Sequence, residues 1–122
     1  AYAPYSQIPV GAAVLTKSGQ IHTGATVENA QESLRETALK VALLKAVSTG
    51  DQGIRAAVAV LPDGRLTPPT PEERQLLFEF GRGVLVILEP EKGEFVIKML
   101  PELLPLPYVI PDLSAEMGAE VR

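Results

Sequence analysis

The chain has 122 residues, 46% of them apolar, and a formal net charge of −4, which suits a single folded domain and excludes a disordered chain. The acidic balance and scattered Lys and Arg exclude a typical nucleic-acid module, and no apolar run approaches the ~18 residues that cross a bilayer. With no cysteine and one histidine, His22, thiolates or several imidazoles cannot build a transition-metal site. The expectation is a soluble cytoplasmic protein with no cofactor, no nucleic-acid partner and no membrane partner.

Two strands are expected at about 8–16 and 20–27, joined by a tight turn in which Gly19 takes positive φ; His22 falls on the second as a surface or edge residue. "SLRETALKVALLKAVSTG" predicts a helix over 34–48, with a capping box between Ser33 and Glu36 and a stop at Gly50. Its apolar positions surround most of the cylinder, so burial on more than one side is expected. "IRAAVAVL", 54–61, reads as a central strand, and 62–69 as a Pro-rich loop. A second helix starts with Thr70 as N-cap, Pro71 at the first helical position and Glu73 completing a capping box; it runs to about Phe80 and stops at Gly81. Strands at 84–89 and 94–99 flank a turn at Glu91-Lys92-Gly93, and a short helical turn at "PELLP" precedes a Pro-rich tail. The order β-β-α-β-α-β-β points to a mixed sheet flanked by helices.

"AYAPYSQIPVGAAVLT", "TVENA", "LKAVSTG", "PEERQLLFEFG" and "ELLPLPYVIPDL" resemble, in the same order and at compatible spacing, strings of the cytidine deaminase family, zinc enzymes that hydrolyse cytidine to uridine. The resemblance implies an α/β fold, a three-layer α/β/α sandwich on a mixed five-stranded sheet. It implies one domain over 1–122, lacking an N-terminal helix upstream, with a C-terminal tail at 114–122. Such enzymes hold zinc at two helix N-termini, where backbone N–H groups and the helix dipole favour anionic ligands. The metal activates a water that attacks the base while a glutamate that is not a ligand moves the protons.

All four chemistry-bearing positions of that pattern differ here. Thr37 falls at the first metal ligand, Leu39 at the catalytic glutamate and the floor of the pocket, and Thr70 and Glu73 at the two downstream cysteines, while Pro69 keeps its place. A Cys/Cys pair spaced i, i+3 at a helix start can chelate a metal; a Thr/Glu pair can cap the same orphan N–H groups. Glu28 matches the family's ribose-binding glutamate, Thr26 replaces an asparagine of the sugar clamp, and Ile8 falls where an aromatic ring packs on the base. Tyr108 resembles the tail aromatic that reaches a neighbouring subunit's pocket. Glu36 stands one turn before Leu39 and can serve as a carboxylate, or pair with Lys40 on the helix surface.

These departures lead to an expectation of a catalytically inactive member without bound metal. It would act by assembly with itself, as a tetramer before a dimer, or with an active deaminase partner. Two other roles stand beside it: a binding module for a nucleoside-like ligand through Glu28, Ile8, Thr26 and Tyr108, and an enzyme of different chemistry using Glu28, Glu32, Glu36, Glu72 and Glu73.

Overall fold

The computed structural model describes residues 1–103. β1 (Gly11–Thr16) and β2 (Ile21–Ala25) form an antiparallel hairpin whose turn carries Gly19 at φ 90°. It is shorter than expected, because beyond Val10 and Thr26 a side-chain bond takes over: the Thr26 hydroxyl accepts from Val10 N at 3.1 Å. β3 (Ile54–Val60) lies at the centre, antiparallel to β1 and parallel to β5 (Leu85–Glu91). β6 (Glu94–Met99) closes the order β2-β1-β3-β5-β6 through a hairpin in which Gly93 has φ 83°. The sheet is mixed, as the order of elements implies.

A sixth strand sits where the Pro-rich stretch was expected to be all loop. The chain reverses at Gly64, φ 91°, and β4 (Leu66–Thr67) pairs back on β3. Glu89 fixes it from β5, its carboxylate accepting from Leu66 N at 2.8 Å and from Gly93 N at 2.7 Å.

Helix α1 (Ala38–Ser48) begins four residues later than expected. The Ser33–Glu36 capping box does not form: Glu32–Leu34 is a 3-10 turn and Arg35 is extended. Glu36 instead exchanges two backbone hydrogen bonds with Val27, at 2.8 and 3.0 Å. A local cap stabilises by about 1 kcal/mol, and two tertiary backbone bonds of similar individual worth outweigh it. Within the single chain, the burial on more than one side expected of this helix is also absent. Ala38, Leu39, Ala42, Leu43 and Ala46 are buried on one face, while Leu44 on the other is 40% exposed.

Helix α2 (Pro71–Phe80) starts as read. Glu73 N donates to the Thr70 hydroxyl at 3.1 Å and Thr70 N donates to the Glu73 carboxylate at 2.9 Å. α3 (Leu100–Leu103) is a single turn whose Leu100 is buried, and Arg74 on α2 donates to the Leu103 carbonyl at 2.6 Å.

One core unites Val14 of β1, Ala57 of β3 and Val86 of β5 with the buried face of α1 and Leu77 and Phe78 of α2. Side chains alternate across a sheet, so Leu15, Val58 and Ile87 point to the other face. Ile21, Phe95 and Ile97 belong to that second, apolar face and are 67, 63 and 62% exposed.

α1 lies against β2 at Gly24. A Cβ there would meet Ala42 N at 2.4 Å and Ala38 O at 2.5 Å, both backbone atoms of the helix. Gly24→Ala is therefore expected to lower stability by at least about 2 kcal/mol, measured by urea unfolding. An unchanged midpoint would mean that the helix does not sit this close.

Candidate ligand site

A cavity of about 320 Å³ opens where the two longer helices begin. Ile8 and Val10 line it from the approach to β1, and Thr26 and Glu28 from the chain leaving β2. Glu36, Thr37 and Ala38 line it from the start of α1, Ala59 and Leu61 from the end of β3, Thr67 and Pro68 from β4, and Thr70 and Glu73 from the start of α2. Apart from the carboxylates and hydroxyls the wall is apolar, a composition usual for a small-molecule site of this size.

Most of the residues singled out in the sequence meet here: Ile8, Thr26, Glu28, Glu36, Thr37, Thr70 and Glu73 share this one wall. Leu39 does not. It is 2% exposed and belongs to the core, while its neighbour Ala38 faces the cavity. Successive helical residues are turned by about 100°, so the floor position expected of Leu39 is corrected to core packing. Tyr108 lies outside the described residues.

Glu28 is buried and heavily engaged. One carboxylate oxygen accepts from Tyr5 N at 2.9 Å and Ser6 N at 3.1 Å, and the other from the Ser6 hydroxyl at 2.5 Å. These bonds hold the segment before β1 in a tight loop in which Gln7 adopts φ 59°, a left-handed conformation uncommon outside glycine. The Ser6 hydroxyl bond above all lowers the Glu28 pKa; burial opposes it, and the Ser6 and Tyr5 N–H bonds and the Arg35 charge add to the lowering. Thr26 turns its hydroxyl to the Val10 backbone. Glu36 pairs with Lys40 at 3.1 Å, the surface pair read in the sequence. Glu73 is 7% exposed and bonded to Thr70 N. Thr37 is the N-cap of α1, yet its side chain caps no backbone donor.

Sequence reasoning missed Ser6 and Arg35. Ser6 meets Glu28 across 22 positions of chain. Arg35 lines the cavity, donates to the Asn29 carbonyl at 2.9 Å and sits over the Tyr5 ring at 4.9 Å. No local spacing connects these partners.

The family model of the cytidine and deoxycytidylate deaminase zinc-binding region matches residues 1–66. The chain belongs to the cytidine deaminase family. A cytidine deaminase of Sporosarcina psychrophila is 36% identical over 115 residues, covering 93% of this chain and 85% of that one. A probable cytidine deaminase of Dictyostelium discoideum is 38% identical over 108 residues, covering 84% and 73%. Among solved structures, the cytidine deaminase of Mycobacterium tuberculosis superimposes with a TM-score of 0.79 at 32% identity, covering 90% of this chain and 86% of that one. That of Burkholderia pseudomallei gives 0.78 at 32%, covering 88% and 87%.

The expectation of a catalytically inactive member, a pseudoenzyme working through assembly, is overturned by these relatives. Chains aligned with it over most of their length are named cytidine deaminases.

Zinc itself is a poor match to the residues present. The chain has no cysteine. His22 bonds Asp51 at 3.2 Å beyond the C-terminal end of α1, a full helix length of about 16 Å from the cavity. Among the described residues no group of three or more His, Cys, Asp or Glu side chains could hold a metal ion.

The pH dependence of the fold follows from the lowered carboxylates. A lowered folded pKa gives stability that is in place above the ordinary carboxylate range, roughly pH 4, and is lost as pH falls through the folded value. Glu28, Asp51 and Glu89 are all lowered. The melting temperature is expected to drop on acidification below that range, and Ser6→Ala to flatten the drop by removing the largest cause at Glu28. Identical acid profiles for the two proteins would count against this assignment.

Proposed function

We propose that this member of the cytidine deaminase family is a nucleoside-directed enzyme that binds its substrate between the starts of α1 and α2. The observation that carries the reading is the convergence of Glu28, Thr37, Thr70 and Glu73 on one open cavity, in a chain whose relatives are named cytidine deaminases. A carboxylate offers about four acceptor positions. Glu28 fills three with Tyr5 and Ser6, which leaves one for a ribose hydroxyl. The base then lies among Ile8, Ala38 and Ala59.

Glu36 is the wall carboxylate with the fewest commitments, since among the described residues its side chain bonds only to Lys40. Glu28 and Glu73 are tied to backbone donors. Proton transfer to the bound base falls to Glu36 on this reading. Purified protein is expected to hydrolyse cytidine or deoxycytidine, one water adding at the amino-bearing carbon of the base and ammonia leaving as the carbonyl forms. Glu28→Ala is expected to weaken nucleoside binding about tenfold or more, and Glu36→Gln to lower kcat with binding kept. If neither nucleoside is converted or bound, the reading is wrong.

Assembly with copies of itself belongs to the same proposal, a tetramer before a dimer. It is supported by the open sheet face bearing Ile21, Phe95 and Ile97, since an exposed apolar patch of this kind marks an interaction surface. Light scattering is expected to give a multiple of the 13.0 kDa chain mass; a monomer at micromolar concentration would remove this part.

A further inference from the structure

Both helix starts at the cavity are places where backbone N–H groups are left without helical partners. They solve this differently. At α2 the demand is met inside the chain: Thr70 accepts from Glu73 N at 3.1 Å, and Glu73 accepts from Thr70 N at 2.9 Å. Glu73 is 7% exposed, so one of its carboxylate oxygens is spent on a backbone donor in a confined place. At α1 the Thr37 hydroxyl makes no capping bond, is exposed, and lines the cavity.

Zinc is held by thiolate, imidazole and carboxylate donors, four in a structural site and three in a catalytic one. The side chains at these two helix starts are hydroxyls and a carboxylate already bonded to backbone. A carboxylate that moved to a metal would release Thr70 N and undo the reciprocal box that closes the start of α2.

We propose that the two helix starts of this pocket are completed by protein side chains instead of a transition metal: the Thr70–Glu73 box satisfies α2, and the Thr37 hydroxyl hydrogen-bonds the ligand directly. The Thr37 part rests on the nucleoside reading above; the metal part does not. Thr37 is thereby a ligand-binding contact, since its hydroxyl can both donate and accept and has no competing partner in the chain among the described residues.

The full chain is equilibrated with zinc chloride, passed through gel filtration and analysed for metal, and its melting temperature is compared with and without a strong chelator. The expected result is no retained zinc and no effect of the chelator. One zinc per chain surviving gel filtration, or a melting temperature that falls with chelator, would overturn the proposal. Thr70→Val is expected to lower the melting temperature by roughly 3–6 °C, equally in zinc and in chelator; an unchanged melting temperature would show that the box does not hold the helix start.

Calorimetric titration with cytidine and uridine tests Thr37. Thr37→Val is expected to weaken both by about 3–10-fold with an unchanged melting temperature, and Thr37→Ser to restore them. Unaltered affinity in Thr37→Val overturns the Thr37 contact alone. Failure of the unaltered protein to bind either nucleoside removes the nucleoside reading and that contact with it, while the zinc and melting results still decide the metal part.

Discussion

α1 rests on β2 with no side chain between them, because Gly24 lets two backbones approach to a distance that any Cβ would forbid. Interiors are packed close to crystal density, so a contact of this kind fixes position to a fraction of an ångström. It sets the height of α1 above the sheet, and hence where Thr37 and Ala38 stand on the cavity wall. The small residues Ala38, Ala42 and Ala46 on the same side continue the close fit along the helix. A bulkier helix face would raise its start away from α2.

The second constraint is polar. Glu28 gathers the Tyr5 and Ser6 backbone N–H groups and the Ser6 hydroxyl, so the chain ahead of β1 is held over the cavity and brings Ile8 to its wall. The same carboxylate thus supports the fold and faces the ligand. Its three protein bonds make it rigid, and rigidity is what a binding group needs, since its ordering has already been offset by folding. The left-handed Gln7 fits this picture: an unfavourable local conformation persists where surrounding bonds over-determine it.

Opposite it, the Thr70–Glu73 box shows one geometric requirement met by different chemistry. Two side chains spaced i, i+3 at a helix start are aimed at the same small volume whether they are metal ligands or caps. Here a hydroxyl and a carboxylate meet it and keep the helix start in order.

The sequence by itself determined the strands of both hairpins, the central strand, the start and stop of α2 and the family, because those signals are local: turn glycines, a Thr-Pro-Glu-Glu run, short apolar stretches and strings in a fixed order. It also brought forward seven residues that do share the cavity wall. Only the tertiary structure decided that α1 begins at Ala38, since two backbone bonds to Val27 outweighed a local capping box. Only the structure placed Leu39 in the core, added β4 to the sheet, and joined Glu28 to Ser6 and Arg35 to Tyr5. Those outcomes depend on partners 6 to 30 positions away, such as Val60 with Leu66, Val27 with Glu36 and Tyr5 with Arg35. Periodicity and cap spacing describe a few neighbouring residues and carry no record of such contacts.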